Sequence, residues 1–389
     1  MSEINTPTLR FGEFDGEWSE KKLEDISDIF DGTHQTPKYV QEGVPFVSVE
    51  NINDIDNTDK CISLKDFEKK YKIKPKKNDI LMTRITAGII GNTAIIKNNK
   101  PLGFYVSLAL IRIKNKDIDT DFLSHLINAT SFKRELHKRI IHTAFPKKIN
   151  LGEIGKCKIY YSSKMEQQKI ATFISTVDSS IEQLSKKEQL LRSYKKGVMQ
   201  KIFSREIRFT SEDSGVFEDW VEKSLGDVCK INKGQQLNRD NLIDDGDYPA
   251  INGGISPSGY TDSWNTEMNT ITVSEDGNSC GFINYIKEKF WAGGHCYCIK
   301  DLKSDINNLF LYQILKYNEQ NIMRLRVGSG LPNIQKGEIT NFKINLPPKK
   351  EQTKIANFLS SLDKQIVQVS EQLAEKKDFK KGLLQKMFV

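Results

Sequence analysis

Apolar residues at Ile170, Ile174, Val177, Ile181, Leu184, Leu191, Val198 and Ile202 follow one another at alternating four- and three-residue steps, with Glu188 and Lys195 filling the gaps. A second series repeats the steps at Ile355, Leu359, Leu362, Ile366, Val369, Leu373, Leu383 and Met387, interrupted by Lys376 and Lys380. That period is a heptad seam and predicts coiled-coil helices. Neither stretch contains proline, and the single glycines, Gly197 and Gly382, lie near the C-terminal ends. "LPPKKEQ" starts the second helix with Glu351 at the positive end of the dipole, while Lys195, Lys196 and Lys201 suit the negative end of the first.

Elsewhere the period shortens to two. "VPFVSVENI", "DILMTRI" and "LALIRIK" in the first half, and "DYPAINGGI", "NTITVSEDG", "CGFINYI" and "HCYCIK" in the second, read as strands broken by turns. "TAGIIGNTAII" reads as a loop and a returning strand. A helical patch closes each set, "TDFLSHLINATSFKREL" and "NNLFLYQILKYNEQNIMRL". Two α+β domains of similar plan are expected.

The chain repeats itself. Residues 166–204 and 351–389 align without a gap at an offset of 185, with 17 identities over 39 positions. "GEIGKCKIYY" matches "GEITNFKINL" at the same offset, and "FDGEWSEKKLEDI" resembles "FEDWVEKSLGDV", setting Trp18 against Trp220, Leu23 against Leu225 and Asp25 against Asp227. A 39-residue helix is about 58 Å long and would overhang a domain of this size, so two such helices are expected to pair rather than lie on their own domains. Antiparallel pairing returns the chain end to the first domain without a long crossover. The expected fold is therefore α+β: two domains separated by a pair of long antiparallel coiled-coil helices, pseudo-two-fold symmetric. Its parts are a first domain over 1–160, a central spacer helix over 161–204, a second domain over 205–348 and a C-terminal spacer helix over 349–389.

Composition narrows the partners. Of 389 residues, 58 are basic and 51 acidic. Residues 161–204 hold 8 basic against 4 acidic residues, whereas 205–350 hold 17 against 20, so a polyanion there must be met by locally placed cations. No apolar run is long enough for a membrane span, and "MSEINTPTLRF" lacks the regions of a signal peptide, so a cytoplasmic location is expected. The six cysteines are scattered. "GGHCYC" offers His295, Cys296 and Cys298 without a second ligand pair at zinc-site spacing, so buried thiols in a strand are expected and no metal. Phosphate-loop, dinucleotide, nucleophile-elbow, H-E-x-x-H and N-P-P-[YF] signatures are absent, which points to a non-enzyme.

Recognition chemistry is better represented. "DGTHQTPK" places His34, Gln35, Thr36 and Lys38 in a turn, and "MTRITAGIIG" puts Arg84 and Thr86 at a strand end beside a glycine loop. Arginine suits guanine O6 and N7, and glutamine or asparagine suits adenine N6 and N7. "HTAFPKKIN" brings Lys147 and Lys148 to a turn, where point charges suit phosphates. In the second domain "KGQQLNRD", "NGGISPSGY", "SEDGNSCG" and "RLRVGSGLPNIQKG" hold Gln235, Gln236, Asn252, Ser256, Ser258, Tyr260, Asn278, Arg324, Arg326 and Lys336. Each is also an ordinary turn former or a solvated charge.

A Trp-containing start, a variable domain, "PKKINLGEI" or "PNIQKGEI", and an "E-Q-x-K-I-A-x-F" helix ending "K-K-G-x-x-Q-K-x-F", all doubled, resemble the DNA specificity subunit of type I restriction-modification systems. "NGGISPSGYTDSWN" with "FWAGGHCY" is similar to one class of target-recognition domain in that family, which carries glycine where Asp276 stands. The resemblance implies a non-catalytic subunit that reads a bipartite double-stranded DNA site, one half per domain, with the helices setting the unspecified gap. It implies two modification subunits, which bind S-adenosylmethionine and methylate adenine, and restriction subunits using ATP and Mg²⁺, with none of these cofactors bound by this chain. A stand-alone bipartite DNA-binding regulator, or a coiled-coil scaffold with two ligand-binding domains, would share the same pattern.

Overall fold

The computed structural model describes residues 5–211, 215–328, 330 and 332–389. The first four residues, read above for a leader, and Ser329 and Leu331 of "RLRVGSGLPNIQKG" lie outside them. The chain divides into two compact units, residues 1–185 with 371–389, and residues 186–370.

The first unit opens with strand Ser19–Lys22, paired antiparallel with Lys158–Tyr161, which leads into the first long helix, Lys164–Phe203. Its main sheet sets Ser27–Asp31, Leu108–Ile113, Ile80–Thr83 and Thr93–Ile95 side by side, all antiparallel. Ile80–Thr83 is buried along its whole length, so "ILM" is a continuous apolar run rather than an alternating one. A smaller sheet pairs Val44–Val47 in parallel with Gly103–Phe104. Helix Thr120–Asn128 begins where the Asp119 carboxylate accepts a hydrogen bond from the Phe122 amide. Its apolar face, Phe122, Leu123, Leu126 and Ile127, packs in one core with Ile170 and Ile174 of the first long helix and Leu383, Met387 and Phe388 of the second.

The second unit repeats this plan. Val221–Ser224 pairs antiparallel with Lys343–Leu346 ahead of the second long helix, Lys349–Lys386. The main sheet runs Lys230–Lys233, Cys296–Lys300, Thr270–Ser274, Ile283–Ile286, and Tyr248–Ile251 lies parallel to Trp291–Ala292. Helix Asn308–Tyr317, capped by Asn307, packs with Met199, Ile202, Ile355, Leu359 and Leu362. Strand order and the unusual parallel pair coincide in the two units, although their sequences diverge.

Within each unit the long helices run antiparallel. Lys195 Nζ meets Asp363 Oδ1 at 2.6 Å in the second unit, and Lys380 Nζ meets Asp178 Oδ1 at 2.5 Å in the first. The two pairs are the same contact, displaced by the 185-residue repeat, and both use a lysine that interrupts the heptad seam. All eight seam residues of the second helix are buried. In the first helix Ile170, Ile174, Val177 and Ile202 are buried, while Ile181, Leu184, Leu191 and Val198 are half-buried.

The "EQ" that begins each repeat has a structural cause. Glu166 is fully buried and accepts hydrogen bonds from Arg10 Nε at 2.7 Å and Nη2 at 2.8 Å. Glu351, equally buried, accepts from Arg208 Nη2 at 2.8 Å and from Trp220 Nε1 at 3.2 Å. Gln167 takes the Asp119 amide and donates to the Asp117 and Ser162 carbonyls; Gln352 takes the Asn307 amide and donates to those of Asp305 and Pro347. A buried carboxylate needs such bidentate pairing, and these residues fasten each helix to its unit.

Candidate functional site

In the first unit the candidate residues gather around Asp31, at the end of strand Ser27–Asp31. Its Oδ1 accepts from Arg84 Nη2 at 2.7 Å, and its Oδ2 lies 2.7 Å from His34 Nε2. Arg84 follows a fully buried strand, and its main chain is tied on both sides, its amide to the Ser107 carbonyl and its carbonyl to the Ile149 amide. The next two residues, Ile85 and Thr86, pair antiparallel with Lys148 and Lys147. The turn, the glycine loop and the "PKK" hairpin thus converge, which joins His34, Arg84, Thr86, Lys147 and Lys148.

Convergence is not equal exposure. Arg84 is buried, and besides Asp31 it donates to the Ile149 carbonyl; Thr86 is buried and accepts from the Gly88 amide at 2.9 Å. These two hold the site from within. His34, Gln35, Thr36, Lys38, Lys147 and Lys148 are exposed. Nearby, Lys133 donates to the Ile90 carbonyl, and burial pushes its ammonium down to about 8.

The second unit assembles five loops. Lys233 Nζ and the Tyr297 hydroxyl both donate to Glu275 Oε1, at 2.7 and 2.8 Å. The Glu275 amide bonds the His295 carbonyl, and its own carbonyl takes the Ile334 amide. His295 Nδ1 lies 2.5 Å from Asp276 Oδ2, and the His295 amide donates to Asn252 Oδ1 at 3.2 Å. Gln235 is held through its amide to the Ala292 carbonyl, with Trp291 Nε1 donating to the Gln235 carbonyl. Around this frame Gln235, Gln236, Asn278, Ser256, Ser258 and Tyr260 are exposed and Asn252 is half-buried. Arg324, which ends helix Glu319–Met323, is exposed, as are Arg326 beside the Val327–Asn333 bridge and Lys336 at the start of helix Lys336–Asn341.

The two frames are equivalent positions with opposite polarity. Arg84 and Glu275 make matching main-chain bonds, and Asp31 and Lys233 each end the equivalent first strand of the sheet. The glycine that follows is required in both: a Cβ on Gly32 would lie 2.5 Å from the Tyr105 backbone, and one on Gly234 2.2 Å from the Gly293 carbonyl. The first unit therefore places acid at the strand end and base on the loop, and the second reverses them. Of this frame the sequence points to Arg84 as a contact, to His295 only within "GGHCYC" and to Asp276 only as a departure from glycine. Asp31 and Lys233, the strand-end members of the two ion pairs, carry no such signal on their own, though setting "FDGTHQ" against "NKGQQ" by their glycines exposes the reversal.

Ligand atoms of Glu275, Asp276 and His295 lie within 4.8 Å of one another. Lys233 already supplies a cation to this carboxylate, and the set serves to fasten the loops. Cys296 and Cys298 are buried in their strand. Burial pushes the thiols of Cys157 and Cys229 up to about 12 and about 11, so both stay protonated. Among the described residues no helix is long and apolar enough to cross a membrane.

The family described as "Type I restriction modification DNA specificity domain" matches residues 15–192 and 217–376. A Mycoplasma pneumoniae relative is 30% identical over 172 residues, 44% of this chain and 46% of its own length. The type I restriction enzyme MjaIX specificity subunit of Methanocaldococcus jannaschii is 22% identical over 411 residues, covering 97% of this chain and 94% of that one. The EcoDI specificity subunit of Escherichia coli is 32% identical over 148 residues, 38% of this chain and 32% of that one. Among solved structures, the type I restriction-modification S subunit from M. genitalium superposes with a TM-score of 0.71 at 19% identity, covering 99% of each chain.

Proposed function

Because this chain belongs to the type I restriction-modification DNA specificity family, we propose that it reads a two-part double-stranded DNA target, one part with each unit. It is a specificity subunit for DNA target recognition, and it works in a complex with other subunits. The observation that carries the two-part reading is one fold built twice around frames of opposite charge, Asp31 with Arg84 and Lys233 with Glu275. Equal scaffolds with unlike loops suit unlike half-sites.

In this reading residues 1–160 and 205–348 are the recognition domains, and segments 161–204 and 349–389, with helices Lys164–Phe203 and Lys349–Lys386, set the unspecified gap. The exposed cations Lys38, Lys147, Lys148, Arg324, Arg326 and Lys336 meet phosphates or guanine, and Gln35, Gln235, Gln236 and Asn278 meet base edges. Catalysis belongs to partners: two modification subunits that carry S-adenosylmethionine and methylate adenine, and restriction subunits with ATP and Mg²⁺. The repeated helices present two like faces to two copies of one partner. Tyr194 and Phe379, 185 residues apart, are 54% and 49% exposed on those helices.

The test is a domain exchange. Replacing residues 1–160 by another recognition domain and sequencing the methylome of a host expressing the chain with its modification subunit should change one half of the methylated site. Change in both halves would refute the division of labour. Co-purification with the modification subunit would exclude a stand-alone regulator, and a linear log-log loss of DNA affinity with salt would exclude a protein- or sugar-binding scaffold.

A further inference from the structure

We infer that Phe145 is an apolar specificity contact, which reads the 5-methyl group of a thymine in the half-site met by the first unit. The inference rests on the DNA-reading role proposed above and goes beyond it by naming a base feature and the residue that senses it.

Phe145 is 91% exposed, and among the described residues no aromatic or cation contact holds its ring. A phenylalanine left in water forgoes the stabilisation that burial of its ring would supply. Its setting is specific. Two residues on, Lys147 and Lys148 are exposed without an ion pair among the described residues, and they pair with Thr86 and Ile85 in the hairpin next to Arg84. Past Thr86 the facing loop carries Ile89, itself 64% exposed. Two apolar side chains thus project from a hairpin whose charges attract a polyanion.

A DNA duplex offers a projecting apolar side chain few apolar partners in its grooves. Base faces are reached only by unstacking a step, which the duplex resists. Thymine methyl groups line the major groove and are met without distortion, and phenylalanine is among the residues that contact them. Lysines at the phosphates and a phenylalanine in the groove fit one approach, with the lysines fixing position and Phe145 adding sequence information.

Replacing each thymine of the first half-site singly by deoxyuridine removes one methyl group and nothing else. The complex of this chain with its modification subunit should lose affinity about fourfold at one thymine, the equivalent of one buried methyl group. The Phe145→Ala complex should bind the all-thymine duplex about as weakly, with no further loss at that deoxyuridine. Lys147→Gln with Lys148→Gln should weaken binding on all sequences, lower the salt slope and keep the deoxyuridine effect. Wild-type indifference to every deoxyuridine, or a deoxyuridine loss unchanged in Phe145→Ala, overturns the inference. A rise in 2-aminopurine fluorescence that depends on Phe145, without a deoxyuridine effect, overturns it in favour of insertion between bases. If the complex prefers its methylated site no more than random DNA, the recognition reading itself falls, and this inference with it.

Discussion

At the scale of the residue, the reversed ion pairs make a direct stability prediction. Arg84→Glu would set two carboxylates together at a buried position and should cost about 3 kcal/mol, because breaking a buried pair leaves an uncompensated charge. The double change Asp31→Lys with Arg84→Glu installs the polarity that Lys233 and Glu275 already hold on the same scaffold, and it should recover most of the loss. Thermal unfolding of these two variants beside the unsubstituted chain checks this, and a double variant no better than the single one would show that the frames are not interchangeable. His125 gives the pH dependence. It lies 3.1 Å from Ser175 Oγ, near Asp178, Lys380 and Asp119, and burial pushes its imidazole down to about 4. Between pH 4 and 6.5 the unfolded chain then binds the proton and the folded chain does not, so stability falls as the pH drops through that window, by up to about 3 kcal/mol. His125→Gln should flatten the dependence of the unfolding midpoint between pH 6.5 and 4.5. The residues that carry these effects were poorly legible in the sequence, because an ion pair between positions 31 and 84 leaves no periodic trace.

At the scale of the element, the helices were the legible part: every seam residue read from the heptad steps is buried or half-buried. The period identifies a face because burial repeats with the turn of the helix. It does not identify fasteners. Glu166, Gln167, Glu351 and Gln352 are buried polar residues, each with at least one partner more than 40 residues away in sequence, and a hydropathy pattern scores them as surface. Gly197 and Gly382 pose a different question. A Cβ on either would meet nothing within 4 Å, so the unit that contains each one has no packing need for glycine there. Glycine inside a helix costs about 1 kcal/mol relative to alanine. Gly197→Ala and Gly382→Ala should each raise stability by about that amount in the isolated chain. If the glycines give the modification subunits room to approach the helix backbone, each change should also weaken assembly, measured as the dissociation constant of the complex. Equal assembly by both variants would leave the glycines without a role in docking.

At the scale of the whole molecule, chain order and structural membership part company. The last 19 residues belong with the first unit, not with the domain they follow in sequence. Leu383, Met387 and Phe388 share a core with Trp18 and Phe122, and the Phe388 ring lies 5.5 Å from that of Phe122 and 6.4 Å from that of Trp18. Antiparallel pairing foretold this return from connectivity alone, whereas the aromatic contact that seals it has no sequence signature beyond the "KMF" at the chain end. The consequence is open to measurement. Phe388→Ala should cost about 3–5 kcal/mol, the usual penalty for emptying a buried aromatic site, and the cost should fall on the first unit. Hydrogen exchange should quicken in Thr120–Asn128, which packs beside Phe388, and remain slow in Asn308–Tyr317, whose core is supplied by Met199, Ile202, Ile355 and Leu359. On the two-part reading proposed above, the same variant in complex with its partners should loosen recognition of the half-site assigned to residues 1–160 and spare the other, although the substitution lies at the opposite end of the sequence. Equal loss of protection in both helices would mean that the two units unfold as one, and that the chain end does not serve the first unit alone.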